Sequence, residues 1–208
     1  MNQYDIVFVG HLAMGTIVPF GGPPYAEWGG PAFFGPLAAS CLTKRIASVT
    51  RIAESEEHLL EPLKAAGIDL YSQHREAAKL RVVHPNASVD ERQIFLIKRG
   101  GYFCIDDMPP IEPCLIHLGG LSDHEFPMEF MRALKARGFR LSVDMQSFVW
   151  QVDDRTGCWL AARENPRLQN SRTGASREGP VAATPFPGRT WPVGSIILLK
   201  TPLGSPQR

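Results

Sequence analysis

Few residues in this sequence are placed to do chemistry, and the most informative are the paired glycines Gly29 and Gly30. They open the segment GGPAFFGPLAASCLTKRIASVTRI, which follows a strand-like run at Asp5–Gly10, DIVFVG. Without a Cβ, such a pair lets backbone approach a ligand closely. A helix start behind it leaves N–H groups suited to oxygen-rich or anionic compounds. His11 directly follows the first strand and is placed to face the same cleft with a polar contact. Asp144 ends the strand-like LSVD in a carboxylate. Each has a plainer reading, the glycines as a tight turn and Asp144 as a turn or cap residue. His117, in the apolar run LIHL, reads as a satisfied core histidine. Asp123-His124-Glu125 reads as the cap of a following helix rather than a metal site, and Phe33-Phe34 and Met128/Met131 have core spacing.

The elements that must position these residues alternate. Strands are expected at Asp5–Val9, Gly15–Phe20, Ile46–Ile52 and Ile68–Tyr71. A helix is expected at Ala38–Leu42, with Pro31 suited to the first turn. A second spans Glu54–Ala66, with Gly67 as its C-cap. Ser72–Asp107 reads as strand and turn, KLRVVH and ERQIFLIK, with Pro85-Asn86 and Gly100-Gly101 as turn signals. Leu115–Leu118 is a buried strand, Glu125–Arg137 a helix closed by Gly138, and Leu141–Asp144 a strand. Strand–helix alternation with short turns predicts an α/β fold with a mainly parallel sheet and right-handed crossovers. This domain covers residues 1–152. Residues 153–208, rich in Arg, Pro, Gly and Ser and broken only by the apolar run Ile196–Leu199, read as an irregular, disordered tail. Its abrupt onset resembles a reading-frame change.

The chain has 208 residues, a net charge of +1 and 21% charged residues, which argues against a nucleic-acid partner. Apolar stretches are too short to span a membrane, and the start, MNQYD, lacks the basic and apolar regions of a signal peptide. Cys41, Cys104, Cys114 and Cys158 are scattered, with neither disulfide nor zinc spacing. The expectation is a cytoplasmic protein without a metal centre.

The order strand–Gly, lid excursion, GG-x-A, helix, strand and the LKAAGID tail resembles the N-terminal half of the ribokinase/PfkB carbohydrate and nucleoside kinases. The resemblance covers residues 4 to about 150. It implies a ribokinase-like α/β sheet with helices on both faces and a small β lid, truncated before the ATP-binding half. It implies Gly29 and Gly30 as substrate contacts. Gly15 stands where the family has an Asp that holds substrate hydroxyls. DMQSF resembles the family's D-P-x-x-x segment near the phosphate end, with Met145 replacing the proline, which makes Asp144 and Gln146 candidates there. Family members phosphorylate a sugar or nucleoside hydroxyl with ATP and Mg²⁺, and their lid strands, here near Thr16–Phe20 and Lys79–Lys98, often pair into homodimers. The D-T-x-G-A-G-D loop that supplies the anion hole and base has only a chance echo at Ser171–Arg177, with Arg177 in the base position. No catalytic residue is therefore assigned, and this chain is expected to bind neither ATP nor Mg²⁺. Two alternatives stay open, a kinase homologue inactive as this chain and a non-catalytic remnant or binding and dimerising module.

Overall fold

The computed structural model describes residues 2–75, 77–88, 91–152, 155, 157, 159–161 and 196–198. Along the chain come β1 (Ile6–Gly10), β2 (Ala13–Val18), β3 (Tyr25–Gly29), α1 (Pro31–Ala39), β4 (Ile46–Ile52), α2 (Glu61–Ala65) and β5 (Asp69–His74). There follow β6 (Ala78–Val83), β7 (Gln93–Lys98), β8 (Leu115–Gly119), α3 (Met128–Ala136), β9 (Arg140–Asp144) and α4 (Gln146–Val149). Three short strands complete it: β10 (Trp150–Val152), β11 (Trp159–Ala161) and β12 (Ile196–Leu198).

Alternation along the strands fixes the architecture. Val7 and Val9 of β1 join an apolar cluster with Val49, Ile116, Leu118 and Val143, capped by Phe130 and Leu134 of α3. Phe8, between them, joins the opposite cluster with Ile46, Ile52, Ala32 and Leu63, to which α1 and α2 contribute. A strand buried on both faces needs helices on both faces. Fully burying a Leu or Phe contributes roughly 1.5–3 kcal/mol, so Phe130 and Leu134, one turn apart, hold α3 in place. The main sheet has the order β12-β9-β8-β1-β4-β5. All its neighbours are parallel except β12, which lies antiparallel to β9.

The second sheet, β3-β2-β6-β7, is the small lid. It is tied to the main sheet where Ala13 and Ala78 pack on Leu121. Its strand β3 was not expected from the sequence, where only the turn cluster Gly21-Gly22-Pro23-Pro24 before it was legible.

Several expected boundaries are corrected. The first helix runs Pro31–Ala39 rather than Ala38–Leu42, because Gly30 (φ 116) turns the chain and Pro31 starts the helix at once. Glu54–Ala66 is not one helix. A 3₁₀ turn, Glu54–Leu60, leads into the short α2, where Pro62 takes an early position that needs no N–H. Gly67 (φ 76) and Gly138 (φ 87) end α2 and α3 as expected. The third helix starts at Met128, three residues after Glu125. Phe34 and Met128, expected in the core, are exposed. Beyond residue 152 the expected tail lies largely outside the described residues, as do Cys158 and Ser171–Arg177.

Candidate binding site at the carboxyl end of the sheet

The chain leaves β1 for α1 on one face and leaves β8 for α3 on the other. Adjacent parallel strands whose connections diverge open a crevice at their carboxyl ends, where α/β proteins bind ligands. Here that crevice lies outside Gly10 of β1 and Gly119 of β8, which are paired in register. The backbones there are close-packed. A Cβ at Gly10 would stand 2.2 Å from the Gly119 carbonyl oxygen, and one at Gly119 would stand 2.4 Å from Pro31 Cβ. The start of α1 is thereby pressed onto the switch point.

Gly30 sits at this junction. Its φ of 116° lies in the left-handed region, and an added Cβ would meet the His11 carbonyl oxygen at 2.9 Å. Gly29 has a different reason to be glycine, since its Cβ would collide with the Phe34 ring at 2.6 Å. The first turn of α1 is largely satisfied. Pro31 has no N–H, and Phe33 and Phe34 both donate to the Gly30 carbonyl. The N–H of Ala32 is the one left without an acceptor among the described residues, so α1 offers a single donor rather than an anion hole.

His11 is fully buried beneath Gly100 and Gly101, not open to the crevice. Its Nε2–H donates to the Gly101 carbonyl at 2.9 Å, and Nδ1 has no partner among the described residues. Burial pulls its pKa down to about 4, so the ring is neutral near pH 7. Asp144, at the end of β9, is buried and accepts the Gln146 N–H at 3.0 Å, the turn role open to it from sequence. Gln146 is half-buried at the start of α4. Ser147 beside it carries a buried hydroxyl that has no partner among the described residues and is pressed against Gly120. Gly15 lies in the lid, paired in register with Glu27 and Leu80, with ordinary space around it. The structure thus gathers Gly30, His11, Asp144 and Gln146 at the carboxyl ends of β1, β8 and β9, and places Gly15 in the lid strand that follows His11. His117 is the satisfied core residue expected, its Nδ1 3.0 Å from Ser142 Oγ.

Two further groups stand out: Arg51 with Asp107 was not singled out from sequence, and Glu125 was read there as part of a helix cap. Arg51, near the end of the wholly buried strand β4, pairs with Asp107 at 2.8 Å, both side chains under 5% exposed. It also donates to the Gly100 and Tyr102 carbonyls and lies over the Phe103 ring. Gln73 bridges the pair by donating to Asp107. A charged residue near the end of the strand-like run IASVTRI was the available signal. Glu125 does not cap α3. It accepts the Leu121 and Ser122 N–H groups at 2.8 and 2.9 Å and fixes the turn that carries Leu121 to Gly30. Burial raises its carboxyl to about 7, against the donors that favour the ionised form. His124 beside it takes a φ of 66°, the conformation of a turn and not of a helix start. No cluster of metal ligands occurs among the described residues.

The same architecture recurs in solved structures. A pyrophosphate-dependent kinase in the ribokinase family, in a sulfate complex, matches with a TM-score of 0.66 and 22% identity, over 75% of this chain and 55% of that one. A pyrophosphate-dependent kinase in the ribokinase family complexed with a pyrophosphate analogue and myo-inositol matches with a TM-score of 0.65 and 21% identity, over 75% and 54%. A probable sugar kinase from Rhizobium etli matches with a TM-score of 0.50 and 12% identity, over 71% and 57%. No protein-family model matches the sequence, and no curated protein matches it. The chain has the ribokinase-like fold, and it spans about half the length of these solved structures. Among its described residues no helix is long and apolar enough to cross a membrane.

Proposed function

We propose that this chain holds a small polyhydroxylated compound, a sugar or cyclitol, in the crevice outside β1 and β8, as the substrate-binding half of a carbohydrate-kinase-type fold. The observation that carries this reading is Gly30, held at positive φ at the switch point of the sheet with the lid anchored beside it through Leu121. That a solved structure of the same fold is a complex with myo-inositol supports a cyclitol among the ligands to test. The chain alone does not transfer phosphate. Gly15 supplies no carboxylate for substrate hydroxyls, and the sequence offers no base in the one segment that echoes the family's anion-hole loop.

Titration calorimetry of the 208-residue chain against myo-inositol, ribose and adenosine is expected to show weak binding of at least one. Gly15→Asp is expected to tighten it about tenfold, as a charged acceptor gains about 1.5–3 kcal/mol per hydroxyl hydrogen bond. Incubation with Mg²⁺ and either ATP or pyrophosphate is expected to give no phosphorylated product. Product formation would refute inactivity, and a panel that binds neither chain would refute the polyol site.

A further inference from the structure

A second concavity, of about 520 Å³, opens beside the crevice and is lined by Arg51, Arg75, Arg99, Gly100, Gly101, Tyr102 and Cys104. Among the described residues, three guanidinium groups and no carboxylate form its wall. Two of the three have their charge balanced from behind, Arg51 by buried Asp107 and Arg99 by Asp123. Arg75 follows β5, is exposed, and its side chain has no partner among the described residues. The net charge presented to the cavity is therefore positive.

The backbone adds to this. Gly100, Gly101 and Tyr102 turn all three carbonyl groups toward buried donors, to Arg51 Nη1 at 3.0 Å, His11 Nε2 at 2.9 Å and Arg51 Nη2 at 2.7 Å. Three successive carbonyls satisfied on the buried side require an unusual backbone, and Gly101 provides it at φ +84°. The N–H groups of Gly100, Gly101 and Tyr102 have no acceptor among the described residues. A Cβ on Gly101 would meet Arg51 Nη1 at 3.0 Å, so glycine also keeps the guanidinium close to the cavity. Unpaired amides beside fixed guanidinium groups form a concave anion site, which suits a tetrahedral oxyanion.

We infer that the cleft between Arg75 and the Gly100–Tyr102 strip binds a phosphate-type oxyanion, either free inorganic phosphate or the phosphate group of a phosphorylated polyol. This site does not rest on the polyol reading, because inorganic phosphate alone tests it. The probe is the full chain in ¹⁵N-labelled form, titrated with inorganic phosphate at ionic strength held constant with NaCl. The Gly100 and Gly101 amide resonances are expected to shift. Arg75→Ala is expected to weaken binding about tenfold, with Arg75→Lys recovering part of it. Arg75 is exposed at a strand end, so these variants leave the core intact, and an unchanged amide spectrum elsewhere verifies that. A parallel titration with inositol monophosphate separates the sources. Tighter binding than inorganic phosphate, with the gain lost in Arg75→Ala, assigns the anion to a phosphorylated polyol, and equal binding assigns it to the free ion. The proposal is overturned if phosphate shifts these amides no more than chloride does, or if Arg75→Ala binds phosphate as the parent chain does.

Discussion

The crevice outside β1 and β8 and the arginine-lined cleft beside it share one strip of backbone, Gly100–Gly101, yet they are built on opposite electrostatic terms. On the crevice side the strip covers His11, a ring kept neutral by burial. On the cleft side the same strip covers Arg51, which cannot shed its charge and is held by Asp107, Gln73 and two carbonyls. A group that can titrate answers burial by becoming neutral. A guanidinium must be surrounded by acceptors. The strip is held mainly from its charged side, by two bonds from Arg51 against one from His11.

The largest test of that asymmetry removes the charge. Arg51→Met leaves Asp107 buried and unpaired, and is expected to lower the free energy of unfolding by about 3–5 kcal/mol in urea titrations. The double variant Arg51→Met, Asp107→Leu is expected to recover part of this, since no lone buried charge remains. If the single variant costs less than the double, the pair is not what holds the strip.

Next in size is a pair of opposed pH dependences. His11 has a folded pKa of about 4 against an ordinary 6.5, so its contribution is complete above 6.5 and is lost as pH falls toward 4. Glu125 has a folded pKa of about 7 against 4.5, so its contribution is complete below 4.5 and is lost as pH rises toward 7. Each spans on the order of 3 kcal/mol at about 1.36 kcal/mol per pH unit. The two slopes offset each other between pH 4.5 and 6.5. His11→Leu is expected to leave a stability that falls with rising pH in that window, and Glu125→Gln one that rises. Identical slopes in both variants would show that neither group is buried as described.

A smaller effect sharpens the shared strip itself. A Cβ at Gly100 would meet His11 Nδ1 at 2.5 Å, so Gly100→Ala forces the ring and the strip apart. The expected loss is about 1–3 kcal/mol, as for other overpacked sites, together with a shift in the Gly101 amide resonance. The smallest expected effect separates strain from contact at two positive-φ glycines. Gly67→Ala bears only the backbone cost of about 1–2 kcal/mol, having open space around it. Gly30→Ala adds a clash with the His11 carbonyl, and thermal unfolding should rank it the more destabilised of the two.

The fold class and most strands follow from local sequence signals. Period-two and wholly apolar runs such as DIVFVG, IASVTRI and LIHL are local signals, and Gly67 and Gly138 end helices by conformational necessity. The turn at the diglycine was legible for the same reason, because glycine constraints act within a few residues. Tertiary structure alone decided what His11, Glu125 and Arg51 do. The partner of His11 is 90 positions away, and the Arg51–Asp107 contact joins residues 56 positions apart. The N–H donors to Glu125 lie only three and four residues before it, but a carboxylate three residues before a helix looks like a cap until the fold turns it back onto Leu121 and Ser122. Local sequence sets where the chain can turn. The choice of which buried group keeps its charge depends on what the folded chain brings against it.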